Sequence, residues 1–266
     1  MCYYNAVNLP GNQVIQLNGV SKSMGDMTVA RQPLVSGFNH GLCPVIKKND
    51  GHDFVIAEME WGFLPEYLRN RDEVNRFRKG YVDGRRVFQP PINTLNAKGE
   101  ECLFPRKIFR KAALERRCLV LSTGFFEWRH HHALNKKTGQ PLKTAVKYPY
   151  HIRMKGAAYF FMAGIWQPWT DQLTGEYVET FSIITTAANA LLAQVHNMKM
   201  RMPVILDDVR AQAWLWNDLE EHEIDALASF QIASESLEAY SIEKDFRTSP
   251  TPYAPHVYAE LPQLSI

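Results

Sequence analysis

A cysteine at position 2, behind a single Met1, is the first residue whose type and place together could do chemistry. Cys2 is small, so Met1 is expected to be removed. The new terminus would carry an α-amine and a thiol on adjacent carbons, a pair that no internal residue offers. An α-amine titrates near about 7.7–8.0 and a lysine near about 10.4, so at pH 7.5 roughly a third of such termini are neutral against about one lysine in a thousand. Such an amine therefore attacks aldehydes readily. The thiol, with a reference pKa of about 8.5, is a few per cent to about a tenth thiolate and can then add to the imine. The product is a five-membered thiazolidine ring, more durable than an imine. The plain alternative is a second residue of arbitrary type, because reactivity needs an exposed, electropositive setting that one residue does not display.

Several other residues could supply that setting. Glu127 lies between Phe126 and Trp128 in Gly124-Phe125-Phe126-Glu127-Trp128. Among aromatics its carboxylate would lose water and its pKa would rise into the acid–base range. By strand alternation it could equally point to water. His196 ends a short helical stretch and titrates near neutrality, although a histidine there often only satisfies local carbonyls. Asn96, in the loop 93–101, can hold a backbone or a phosphate, or simply make an Asx-turn. Thr185 and Thr186 end a buried strand and can bind phosphate or satisfy backbone groups. His130, His131 and His132 are adjacent, so they cannot all face one ion, and they read as a solvated loop with no metal. Basic residues cluster in 69–86, which includes Arg85 and Arg86, and in 105–117. They are interleaved with Phe77, Tyr81, Phe88 and Phe109, a mixture suited to single-stranded nucleic acid or to an ordinary solvated face.

The elements that must position these residues are mostly short strands. Segments 54–63, 118–128 (turning at Gly124), 147–154, 157–166, 179–188, 202–207 and 237–244 read as strands. The pair 147–154 and 157–166 reads as a hairpin around Lys155-Gly156. Segments 105–117, 189–196 (N-capped by Asn189) and 209–230 read as helices. Segment 69–86 reads as a long loop with one helical turn. Strands without strict βα alternation predict an α+β fold with a mostly antiparallel, curved sheet.

The 266 residues, 45% hydrophobic, suffice for a proper core, and no linker or repeat divides them. A net charge of +2 is too mild to identify a nucleic-acid partner by itself. Cys2, Cys43, Cys102 and Cys118 show no CxxC spacing and read as reduced thiols. The N-terminus lacks a basic region followed by an apolar one, and the apolar run 157–166 is too short to span a bilayer. A cytoplasmic protein is expected. The serine elbow, P-loop and Rossmann fingerprint are absent.

Taken in order, the motifs are specific. They are Cys2; Trp61-Gly62-Phe63 before Pro65; Asn96-Ala97-Lys98 with Glu100; Arg117-Cys118 leading to Gly124-Phe125-Phe126-Glu127-Trp128; Thr185 before His196; and Arg201-Met202-Pro203-Val204-Ile205-Leu206. The chain closely resembles the SOS-response-associated peptidase (SRAP) family of abasic-site processing proteins, from Cys2 to about Leu206. The resemblance implies one domain over 1–266, with the motifs in 2–206 and the tail 207–266 part of the same unit. It implies a β-barrel-like core with peripheral helices, no cofactor, and single-stranded DNA containing abasic sites as partner. By this resemblance Cys2 would capture the ring-opened aldehyde as a thiazolidine and Asn96 would position it. Glu127 would shuttle protons, and His196 would assist ring opening and reversal. By the same resemblance Lys98 would contact phosphate, with Thr185 near it; Arg85 and Arg86 of the basic clusters, Arg201 and Trp61 are the further expected DNA contacts. The family is also credited with removing its own Met1.

The chain departs from the family pattern in four places. Asn39-His40 and Cys43-Pro44 match the usual Asn-Val-Ala-Pro only loosely. Tyr3-Tyr4 replace the usual Gly-Arg, Lys98 replaces an arginine and loses its bidentate geometry, and Asn197–Met200 lengthen the segment after His196. Two other classes fit the same residues: an N-terminal-nucleophile hydrolase, with the thiol attacking an amide, and a non-catalytic single-stranded nucleic-acid-binding module.

Overall fold

Five strands rich in β-branched and aromatic residues close into a barrel. They are Leu42–Lys48, Phe54–Trp61, Arg117–Ser122, Phe160–Thr170 and Tyr177–Ala187. The computed structural model describes residues 2–10, 12–25, 27–135 and 137–265. Met1, whose removal is expected, lies outside the described residues. Around the barrel, Tyr177–Ala187 pairs with Phe54–Trp61, then follow Leu42–Lys48, Arg117–Ser122 and Phe160–Thr170, which returns to Tyr177–Ala187. One pairing is parallel, with Thr180 opposite Glu60 and Phe181 opposite Trp61; the other four are antiparallel. Closure leaves the barrel strands without open edges. The long strand Tyr177–Ala187 also carries two short ones, Asn96–Lys98 in parallel and Arg201–Pro203 antiparallel.

A second sheet packs beside the barrel, in the order Leu237–Ser241, Val146–Met154, Gly124–His131, Tyr4–Asn8, Arg31–Ser36. The chain leaves the barrel at Ser122 and enters this sheet at Gly124, with only Thr123 between. Gly124 sits so close to the His151 ring that an added Cβ would lie 2.1 Å from Nε2. No larger residue fits there without displacing the ring. Cys2, Val35, Trp61, Phe125 and Phe181 belong to one buried cluster, so the start of the chain is built into the core. Helices lie outside. The α+β class, the curved barrel-like core and the peripheral helices agree with the sequence reading.

Local readings differ in places. Segment 69–86 holds a full helix, Arg71–Lys79, rather than one turn. The Asn70 side chain accepts the Glu73 N–H at 3.0 Å and caps it, while Val74 and Phe77 pack with Leu64, Leu68 and Trp169. The hairpin expected at 147–166 does not exist: Val146–Met154 lies in the open sheet and Phe160–Thr170 in the barrel. Phe160–Thr170 instead makes its hairpin with Tyr177–Ala187. The helix expected at 209–230 is two, Asp208–Trp216 and Glu221–Ala228, each with its own N-cap. In 105–117 only Arg110–Glu115 is α-helical. His130 and His131 extend the strand Gly124–His131, where a loop was expected.

Candidate active site

Strand pairing delivers the N-terminal segment to the end of the sheet that carries Glu127. Tyr4 lies opposite Phe126 on one side and Ser36 on the other. The Gly37 N–H donates to the Tyr3 carbonyl at 2.9 Å, fixing the chain just after Cys2. The Asn96 amide donates through Nδ2 to the Cys2 carbonyl at 2.8 Å. Asn96 Oδ1 is buried and has no hydrogen-bond partner among the described residues. Such an acceptor is costly to bury unless something later donates to it.

Asn96 owes its place to the pairing of Asn96–Lys98 with Tyr177–Ala187 and to Gly99 behind it. A Cβ on Gly99 would lie 1.8 Å from the Ala228 carbonyl oxygen, which is backbone and cannot swing aside. Gly99→Ala should therefore destabilise the protein by about 1–3 kcal/mol or more and move Asn96 off Cys2. Urea unfolding should show a lower midpoint; an unchanged midpoint would contradict the close approach.

His196 follows the helix Ala190–Val195, which Asn189 caps by accepting the Leu192 N–H at 2.9 Å. The imidazole Nδ1 lies 2.8 Å from the Arg201 carbonyl. A carbonyl only accepts, so Nδ1 carries the proton and Nε2 presents a lone pair. Nε2 is 3.8 Å from Glu127 Oε2, too long for a direct hydrogen bond. Both groups are buried, Glu127 at 3% and His196 at 8% exposure. Burial pushes the Glu127 carboxyl from 4.5 up to about 7. It holds His196 down to about 4, with the positive charge of Lys199 acting in the same direction. Near neutrality the pair is thus a neutral imidazole base beside a carboxyl close to half-protonated.

The Cys2 thiol is fully buried and donates to the Tyr4 carbonyl at 3.6 Å. Burial pushes it well above the usual thiol range, and the Glu127 charge pushes the same way. The thiolate fraction read from a free cysteine is therefore too high: the resting thiol is neutral, and it needs a base.

Glu127 and His196 open onto a cleft of about 430 Å³ lined also by Tyr3, Trp128, His130, Lys147, Lys199 and Arg247. A larger hollow, about 580 Å³, is lined by His40, Glu60 and Arg78. There Glu60 and Arg78 neutralise each other at 2.6 Å, so the smaller cleft is the better reactive site.

The expected DNA contacts scatter. Trp61 is fully buried, donates to the Leu95 carbonyl at 2.9 Å and stacks on Phe181. It is a core residue and offers no face to a strand. Thr185 is equally buried and donates to the Ala97 carbonyl, so it holds the Asn96–Lys98 strand rather than a phosphate. The Arg201 guanidinium grips both Glu100 oxygens at 2.8 Å and the Thr185 carbonyl. Lys98 is exposed but paired with Glu101 at 2.8 Å. Arg85 and Arg86 are exposed between the short strands Tyr81–Val82 and Phe88–Gln89. Sequence reasoning missed Lys147, Lys199 and Arg247 at the cleft. Lys199 had a signal, the lengthened segment after His196; the other two had none.

A family model described as SOS response associated peptidase (SRAP) matches residues 1–249. Abasic site processing protein YoqW of Bacillus subtilis is 27% identical over 196 residues, covering 70% of this chain and 73% of that protein. Abasic site processing protein HMCES of Pongo abelii is 26% identical over 189 residues, covering 64% of this chain and 48% of that protein. The crystal structure of a protein from Bacteroides thetaiotaomicron matches with a TM-score of 0.73 at 29% identity, over 96% of this chain and 100% of the other.

Proposed function

Because the chain belongs to the SOS response associated peptidase (SRAP) family, we propose that it processes abasic sites in single-stranded DNA and holds them as a covalent thiazolidine on Cys2. The observation that carries this reading is the burial of Glu127 and His196 with Nε2 and Oε2 3.8 Å apart, in a cleft adjoining the segment that Asn96 fixes.

The chemistry runs in balanced steps. Removal of Met1 frees the Cys2 amine, and Asn96 Oδ1, now without a partner, is placed to accept from it. His196 Nε2 takes the proton of the sugar C1 hydroxyl, and the ring opens to the aldehyde as the imidazolium returns that proton to the ring oxygen. The amine adds to the aldehyde carbon. Glu127 in its protonated form gives a proton to the carbinolamine oxygen, which leaves as water, and an iminium ion remains. The carboxylate then takes the thiol proton as sulfur adds to the iminium carbon, which restores the protonated Glu127 and leaves a neutral ring nitrogen. The thiazolidine closes without oxidant or metal. A buried thiol of raised pKa suits this order, because it adds second and only with a base at hand. The same raised pKa counts against the hydrolase reading, which needs the thiol as first nucleophile.

The test uses single-stranded oligonucleotides with and without an abasic site, run on a denaturing gel. A shifted band only with the abasic strand is expected; a band with both, or with neither, overturns the reading. His196→Ala should slow crosslinking by about 100-fold, the lower end for loss of a positioned base, and should slow release as well. A wild-type time course in both directions would remove His196 from the mechanism.

A further inference from the structure

We propose that Lys147, Lys199 and Arg247 form a phosphate-binding rim that grips the backbone phosphates flanking the abasic sugar. The proposal rests on the abasic-DNA reading above and adds the residues that seat the strand.

The three cations come from distant segments: the strand Val146–Met154, the loop after His196, and the short 3-10 turn Phe246–Thr248. All three line the cleft that holds Glu127 and His196, and all three are exposed. None makes a side-chain hydrogen bond or ion pair with another described residue. That sets them apart from other cations around the site, since Lys98 is tied to Glu101 and Arg201 to Glu100. Three like charges gathered at one mouth, opposed there by the buried Glu127 carboxyl that acts on Lys199, repel until an anion arrives, and they draw anions in.

Lys199 is also held in place. Asn197 staples its loop to the strand bearing Glu127: it accepts the His130 N–H at 3.0 Å and donates to the His130 carbonyl at 2.8 Å. The loop closes through Met200, whose φ of 49° is left-handed and whose N–H donates to the His196 carbonyl at 2.8 Å. A fixed cation loses less freedom on binding than a loose one. Two aromatic rings line the same cleft, Tyr3, set against Phe38 at 4.8 Å, and Trp128, set against Tyr4 at 5.3 Å. Cations and aromatic rings sharing one cleft match a nucleotide strand better than a free anion.

The test separates non-covalent seating from chemistry by using a single-stranded oligonucleotide with a tetrahydrofuran abasic analogue, which has no aldehyde. Its affinity is measured across salt for the wild type, for Lys147→Gln/Lys199→Gln/Arg247→Gln, and for a charge-matched Lys48→Gln/Lys143→Gln/Lys155→Gln protein whose changes lie outside the cleft. The rim variant should bind about 10-fold or more weaker at low salt, with a log–log salt slope smaller by about 1.4, about 0.7 for each of two phosphates. The matched variant should stay within about two-fold of wild type. Neutral methylphosphonates at the two flanking positions should weaken the wild type similarly and the rim variant hardly at all. Wild-type affinity and slope in the rim variant, or equal losses in both variants, overturn the rim. If the wild type crosslinks a true abasic site while the rim variant binds normally, the rim alone fails. If the wild type neither binds the analogue nor crosslinks, the abasic-DNA reading fails and the rim falls with it.

Discussion

Cys2→Ser protein is expected to give no heat-stable adduct with an abasic oligonucleotide, while wild type gives one that survives denaturation without reduction. The amine remains if Met1 is still removed, so an imine forms. A hydroxyl is a far weaker nucleophile than a thiol near neutrality, so the oxygen ring closes poorly. The variant's adduct should be transient, trapped by borohydride and lost to hydroxylamine. Retaining Met1 should abolish both adducts, because the nitrogen of Cys2 is then an amide. The substitution replaces sulfur by oxygen at a fully buried position, so a folding control by circular dichroism belongs beside it. An equally stable, unreduced adduct from Cys2→Ser would remove the thiol from the mechanism.

Glu127→Gln is expected to slow crosslinking by about 100- to 10,000-fold, the range for loss of a positioned acid–base group. The amide can neither give the proton that expels water nor take the one from sulfur. Wild-type rates should show an inflection near pH 7, where burial has placed the Glu127 carboxyl, and the variant should lose it. Stability should move the opposite way. The folded pKa, about 7, lies above the ordinary 4.5, so the native state holds a proton that the unfolded chain releases between those values. Its stabilising contribution is complete below about 4.5 and is lost as pH rises through about 7. Glu127→Gln should therefore unfold later in urea at pH 8 than wild type, by on the order of 2–3 kcal/mol, with no gain at pH 4. His196 has the reverse sign: held down to about 4, it contributes above about 6.5 and loses that contribution as pH falls through 4. An inflection near pH 7 that persists in Glu127→Gln would assign it to another group.

How much of this was legible in sequence depends on what a local pattern can carry. The strand and helix periods gave the α+β class, because alternation and capping are local. They did not give partners. Segments 147–154 and 157–166 alternate correctly, yet they go to different sheets, since pairing depends on which faces remain to be covered. The helix Arg71–Lys79 was hidden by its charges; the decisive signal was sparse, Asn70 as cap and Val74 with Phe77 three residues apart. Trp61 and Thr185 were expected at DNA from their places in the family's motifs, but a motif position does not separate a buried side chain from an exposed one. The candidate catalytic set could be named by residue from the ordered motifs, while its protonation states could not. Those follow from burial, which raises Glu127, lowers His196 and silences the Cys2 thiol. Lys147 and Arg247 had no local signal, being 100 residues apart in the chain and brought to one cleft only by the open sheet and the turn Phe246–Thr248.

The most direct test of the central claim is the mass spectrum of the N-terminal peptide after the crosslinked complex is digested with nuclease and protease. The account predicts a peptide that lacks Met1, carries the sugar remnant on Cys2 with loss of one water, and has a thiol that iodoacetamide cannot alkylate. A remnant on a lysine, a peptide that still begins with Met1, or a Cys2 thiol that alkylates freely in the adduct would contradict it.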